Sequence, residues 1–193
     1  KAAIAAGIPG DHIGIHTHND TEHAVANSLA AVDAGARHIQ GTLNGLGERC
    51  GNANLTTLIP TLLLKQPYAS LYETGISADG LLTLTSVSRM LDDILNRVPN
   101  KHAAYVGVSA FAHKAGLHAS AIAKDPSTYE HIDPALVGNT RIIPMSNQAG
   151  QSNLRKRLSD AGLAVAKGDP ALGQILEEVK DREAQGYAYD TAQ

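Results

Sequence analysis

Two histidines one residue apart head the chain's most suggestive run, His16-Thr17-His18-Asn19-Asp20. The segment that holds the pair, Ile13 to His18, is short and flanked by turn residues, so it reads as a buried strand. Side chains two apart in a strand point the same way. His16 and His18 therefore converge on one side, while Ile15 and Thr17 face the other. Two imidazoles at a strand end suit a divalent metal. In a parallel barrel the C-terminal strand ends carry the active site. The plainer alternative is two hydrogen-bonded histidines beside a turn, and the short pattern leaves both open.

A second run, Gly41 to Asn54, follows another strand candidate, His38 to Leu43. Gly45, Gly47 and Gly51 allow a tight, close-approaching loop. Asn52 could offer an amide oxygen to a metal, or cap the next helix. Glu48 and Arg49 could pair with each other or brace metal ligands. Cys50 reads as a small buried residue. A third run, Phe111 to Ser120, carries His113, Lys114 and His118 around Gly116. Five residues separate the two histidines, so they do not share a helix face cleanly. One could be catalytic and the other structural. His12, His23, His38, His102 and His131 lack partner spacing and read as surface or local hydrogen-bonding residues.

The elements that must position these residues follow from the pattern. Lys1 to Ala6 reads as a helix end stopped by Gly7 and Pro9. Asn19-Asp20-Thr21 offers cap chemistry to a helix over Glu22 to Ala34, and Gly35 ends it. Leu55 to Lys65 is a further helix, with Pro60 a possible kink. The first 65 residues thus read as βαβα, which means a parallel sheet with helical crossovers. Two strands need more cover than this segment supplies. Together with a start at Lys1 inside a helix, this reads as part of a longer chain.

Beyond Ile76 the character becomes helical. Ser77 caps a helix over Ala78 to Val98, with Leu81, Leu82, Leu84, Val87, Met90, Leu91, Ile94 and Leu95 as an apolar stripe. Ala103 to Ala110 reads as extended, Phe111 to Ala123 as helical or mixed, and Thr140 to Met145 as a short strand. Ser152 to Ala161 and Pro170 to Glu183 read as helices. A domain boundary falls at 66–76.

Composition removes several alternatives. With 43% hydrophobic and 18% charged residues, the 193-residue chain is an ordinary globular one. A net charge of -3 gives no footprint for nucleic acid or a membrane surface. The single cysteine excludes a disulfide within the chain. No apolar stretch approaches the roughly 18 residues of a membrane span, and no signal peptide is visible, so a cytoplasmic protein is expected.

Three of these motifs recur in one order: His-Thr-His-Asn-Asp, Gly-Glu-Arg-Cys-Gly-Asn and His-Lys-Ala-Gly-Leu-His. They are followed by Thr128-Tyr129-Glu130-His131-Ile132-Asp133-Pro134. Together they resemble the alpha-isopropylmalate, homocitrate and citramalate synthase family, metal-dependent acyltransferases built on a TIM barrel. The resemblance covers most of the chain. It implies an α/β fold: the C-terminal portion of a TIM (β/α)8 barrel over residues 1–65, a linker at 66–76, and mostly helical subdomains over 77–193. It implies His16, His18 and Asn52 as ligands of a divalent metal (Mg, Mn or Zn), His118 as the group acting on the acetyl-CoA carbonyl, and Tyr129 as its assistant. It implies a Claisen-type condensation of acetyl-CoA with a 2-oxo acid, and a homodimer. The run from Thr42 to Leu55 and the ending Gly186-Tyr187-Ala188-Tyr189 are most similar to the citramalate branch, which uses pyruvate on the way to isoleucine. Isopropylmalate and homocitrate synthases are the alternatives, then a lyase or carboxyltransferase of the same barrel superfamily, or a non-enzymatic metal-binding module. The chain lacks the family's Asp-Arg-Glu strand, its carboxylate base and its regulatory domain, so these 193 residues alone are expected to be inactive.

Overall fold

The computed structural model describes residues 1–114, 116–122, 124–144 and 150–187. Ala115, Ala123, Met145, Ala188 and Tyr189, which belong to the motifs and segments read above, lie outside the described residues. The chain forms two compact units: Lys1–Ala110 with Ala135–Asn139, and Phe111–Pro134 with Thr140–Gln193. The linker expected at 66–76 lies inside the first unit.

The first unit opens with helix α1 (Ala2–Ala5), strand β1 (Gly14–His16), helix α2 (Ala24–Asp33) and strand β2 (His38–Gln40). The strands pair in parallel, with Gly14 opposite His38, Ile15 opposite Ile39 and His16 opposite Gln40. A right-handed crossover through a helix is the ordinary way to join such strands. Alternation along β1 leaves His16 exposed and Ile15 half-buried, as the period of two requires. Helix α2 starts two residues later than its composition indicates. Glu22 sits at φ 61°, and the Asn19 side chain accepts from the Ala24 amide at 3.2 Å from five residues back. Gly35 ends α2 at φ 111°.

Helix α3 (Leu55–Leu64) runs through Pro60 without a break. Its cap is Asn54, whose Oδ1 accepts from the Thr56 amide at 3.0 Å and the Thr56 hydroxyl at 2.8 Å. Asn52 is therefore free of the capping role. Ala24, Ala53 and Leu58 form the apolar core between α2 and α3, with Val25, Leu29, Ile39 and Leu55 packed on it. Tyr68–Leu71 forms α4.

The long helix expected over Ala78 to Val98 is two helices, α5 (Ala78–Leu82) and α6 (Leu84–Ile94), which meet at Thr83. Ser77 caps α5 as expected, accepting from the Gly80 amide at 3.1 Å. Leu81 and Leu84 are buried, but Leu82, Met90 and Ile94 are 47%, 55% and 71% exposed. Periodicity located the stripe but not how much of it finds a partner in this unit. Residues 103–110 are turns rather than an extended segment. Tyr105 sits there at φ 65°, and the Asn139 amide donates to the carbonyls of Tyr105 and Gly107 at 2.8 and 2.9 Å.

The second unit holds α7 (Gly116–Ile122), α8 (Gln151–Asp160) and α9 (Pro170–Ala184). Leu154, Leu172 and Leu176 form its core, with Leu158 and Val165 packed against them. Among the described residues of the expected strand at 140–145, only Ile142 pairs, in a single bridge to Ala112. Among the described residues no helix is long and apolar enough to cross a membrane.

Asn54 anchors α3 and, through it, the core under the Gly-rich loop. Asn54→Ala is expected to lower the unfolding free energy by about 1 kcal/mol in chemical denaturation, and Asn54→Asp to retain most of it.

Candidate functional site

Strand β1 ends at His16, and His18 follows in a bridge just beyond it; their ring centroids lie 5.0 Å apart with planes at 84°. Thr17, on the opposite face, fixes the strand end to α2. Its hydroxyl donates to the Ala24 carbonyl at 2.9 Å and lies 3.0 Å from the Ser28 hydroxyl. The backbone then pairs with the Gly-rich loop. Asn19 donates to the Gly51 carbonyl at 2.8 Å, and Ala53 to the Thr17 carbonyl at 3.1 Å. This antiparallel bridge sets His18 opposite Asn52. The three residues read as metal ligands thus share one end of the parallel pair.

The loop is built to present Asn52. Asn52 donates its backbone N–H to the Gly45 carbonyl at 3.0 Å and its side-chain amide to the Leu46 carbonyl at 3.3 Å. Its Oδ1 is buried and has no hydrogen-bond partner among the described residues. Gly51 takes φ 89°, and a Cβ there would stand 2.0 Å from the Gly45 carbonyl oxygen. A Cβ on Gly47 would stand 2.6 Å from the Asn52 amide nitrogen. Both positions need glycine for close approach.

Two polar clamps hold this loop. Arg49 binds Asp20 through both oxygens, at 2.8 and 3.2 Å. These hydrogen bonds from the guanidinium hold the Asp20 carboxyl below its ordinary pKa. Glu48 is a distant second partner, 3.9 Å from Arg49. On the other side, Ser88 donates to Asn44 Oδ1 at 2.7 Å while the Asn44 amide donates to the Ser88 carbonyl at 2.9 Å. Neither clamp is visible as a motif: Asp20 stands with the cap residues, and Ser88 lies on a helix 44 positions beyond Asn44. Cys50 is exposed, not buried as expected, because the loop turns it outward between Arg49 and Gly51. Among the described residues no third His, Cys, Asp or Glu joins the histidine pair.

In the second unit, the His118 ring on α7 lies tilted against Tyr129, with ring centroids 4.1 Å apart. Tyr129 is 43% exposed. Its neighbour Glu130 points inward, with a side chain only 3% exposed. Arg141 grips both Glu130 oxygens, one of them at 2.6 Å, and His113 Nε2 lies 3.2 Å from Oε1. Arg141 is the main reason the Glu130 carboxyl stays below its ordinary pKa, against the upward push of burial. The structure therefore separates the two histidines of the third motif. His118 meets an exposed phenol, and His113 meets a buried carboxylate.

The architecture is that of an α/β unit followed by a helical one. Residues 2–93 match the HMGL-like family, and residues 105–186 match the homocitrate synthase post-HMGL domain-like family. The chain thus carries an HMGL-like segment followed by a homocitrate synthase post-HMGL domain-like segment. It is 52% identical over 181 residues to the (R)-citramalate synthase of Synechocystis sp., covering 94% of this chain and 32% of that protein. It is 48% identical over 181 residues to the (R)-citramalate synthase of Geobacter sulfurreducens, covering 94% and 33%. Identity to the 2-isopropylmalate synthase of Methylacidiphilum infernorum is 39% over 156 residues, covering 80% and 30%. The motif-based family assignment and its citramalate branch agree with these matches. The chain spans about a third of the length of the curated relatives it matches.

Because Glu130 titrates lower in the folded than in the unfolded chain, its pairing stabilises the second unit above the ordinary carboxylate range. That stability is lost as pH falls through the lower folded value. Acid titration of the unfolding midpoint is expected to show this loss below pH 4.5, the ordinary value for the group. Arg141→Ala is expected to cost about 3 kcal/mol at neutral pH, since it leaves a buried carboxylate underpaired, and to flatten the acid limb.

Proposed function

We propose that the full-length protein condenses acetyl-CoA with pyruvate to give citramalate, and that this chain supplies part of its metal site and the groups that act on the thioester. The observation that carries the reading is the buried, unpartnered Asn52 oxygen on the residue bridged to His18, beside the His16 ring. Two neutral imidazoles and an amide oxygen are donors that a divalent cation accepts. Mg, Mn and Zn are all compatible with that mixed set. His16, His18 and Asn52 would hold the ion, and when bound it supplies Lewis-acid polarisation of the 2-oxo group. On this reading residues 1–65 are the end of a TIM barrel, residues 66–76 a linker and residues 77–193 the helical subdomains. The protein would be a cytoplasmic homodimer acting on small molecules.

The chain's own residues have distinct tasks. Arg49 and Asp20, with Asn44 and Ser88, hold the Gly-rich loop so that Asn52 keeps its place. His118 donates to the thioester oxygen as the methyl group of acetyl-CoA loses its proton, and Tyr129 orients that imidazole. The resulting carbanion adds to the ketone carbon of the 2-oxo acid. Water then cleaves the thioester, releasing the CoA thiol and the new carboxylate. The proton acceptor for the methyl group is assigned to no residue of this chain.

Release of CoA thiol from acetyl-CoA by the full-length protein tests the reading. Pyruvate is expected to be the best acceptor, ahead of 2-oxoisovalerate and 2-oxoglutarate. His16→Ala and His18→Ala are expected to abolish release and metal retention together. His118→Ala is expected to lower kcat by about 10²–10⁴-fold while leaving metal binding intact. Strong release with 2-oxoisovalerate instead of pyruvate would move the assignment to the isopropylmalate branch. Carbon–carbon cleavage without thiol release would move it to a lyase.

A further inference from the structure

We propose that His113, Glu130 and Arg141 form a positioning network that sets Tyr129 against His118. The inference deepens the reading of His118 and Tyr129 given above and rests on it. The network is a continuous path. Arg141 holds both oxygens of Glu130. Glu130 Oε1 also meets His113 Nε2 at 3.2 Å. The His113 ring lies edge-on to Tyr129, with centroids 6.5 Å apart at 64°, and Tyr129 lies tilted against His118 at 4.1 Å and 31°.

The chemistry of each contact is directional. An ionised carboxylate only accepts, so His113 donates from Nε2 and its tautomer is set by Glu130. The fork of Arg141 fixes Glu130 in two dimensions, and Tyr129 is the residue next to Glu130 in the chain. The backbone holds the other end. His113 donates to the Ile142 carbonyl at 2.9 Å, and Ile142 donates to the Phe111 carbonyl at 3.0 Å. Phe111, itself buried, stacks on the ring of His131, one residue beyond Glu130. Tyr129 is thus exposed on an anchored base, with its ring flanked by two imidazoles.

Burial of the Glu130 carboxylate against a partly exposed Arg141 is poorly explained by stability relative to an apolar pair. A pair with a buried carboxylate commonly adds nothing over apolar residues of the same volume. The core of the unit is already supplied by Leu154, Leu172 and Leu176. What the pair supplies is direction. His113 and Glu130 are positioning residues, acting through Tyr129 rather than on substrate.

Steady-state kinetics of thiol release by the full-length protein test this, alongside thermal melts. His113→Gln keeps an N–H donor near the Nε2 position, and His113→Ala removes it. His113→Ala is expected to lower kcat roughly tenfold or more through misplacement of the reacting groups, with KM for the 2-oxo acid unchanged. His113→Gln is expected to recover most of the loss. Wild-type kcat in His113→Ala, with His118→Ala inactive, would overturn the network. So would equal losses in both His113 variants that track equal falls in melting temperature. Full activity in His118→Ala would instead overturn the reading beneath it. Arg141→Lys repeats the test should His113→Ala not fold. It keeps the charge and loses the fork, so a lower kcat at unchanged KM is expected, and wild-type kcat would overturn the network.

Discussion

The short antiparallel bridge between residues 17–19 and 51–53 is the constraint on which the first site depends. Strand β1 and the two residues after it give a histidine pair, which is a common outcome of alternation. The hydrogen bonds from Asn19 to Gly51 and from Ala53 to Thr17 bring the Gly-rich loop beside that pair. Their effect is to place Asn52 opposite His18. The rest of the unit serves that bridge. Thr17 ties its strand to α2, Asn54 starts α3 directly behind it, and Gly47 and Gly51 leave room for the chain to approach itself.

Polar side chains then set how the loop lies on this frame. The Asp20–Arg49 pair is exposed, so it contributes little to stability, and its worth is in holding the loop's outer edge. The reciprocal Asn44–Ser88 pair ties the inner edge to α6 and involves a buried hydroxyl. In the second unit the same division of labour recurs. Leucines make the core, while Glu130 and Arg141 fix the segment that bears Tyr129. A buried carboxylate held by a guanidinium fork has a narrow range of tolerated geometries, and that narrowness is the property a site needs.

Much of this is legible in the sequence. Local signals carried the parallel β1–β2 pair, the convergence of His16 and His18, the Ser77 cap and helices α8 and α9, because each depends on residues close in sequence. Distant partners were not legible. Nothing near Thr83 marks the division between α5 and α6, and nothing near Glu130 announces Arg141. Asn52 and Asn54 have the same side chain two residues apart. Only the fold shows that Asn54 caps α3 while Asn52 keeps a free oxygen. Cys50 is exposed rather than buried for a similar reason, since Arg49 at φ 54° turns the chain outward. The tract at 103–110 has strand-like residues, but its backbone is folded back by Asn139, a contact made across more than 30 positions.

The central claim is that His16, His18 and Asn52 form one face of a divalent-metal site. A crystal of the full-length protein grown with Mn²⁺ and measured at the manganese absorption edge tests it most directly. The account predicts one anomalous peak per protomer, bonded to a ring nitrogen of both His16 and His18, with the Asn52 side-chain oxygen turned towards it. An anomalous peak elsewhere in the protein, with both rings unligated, would contradict it.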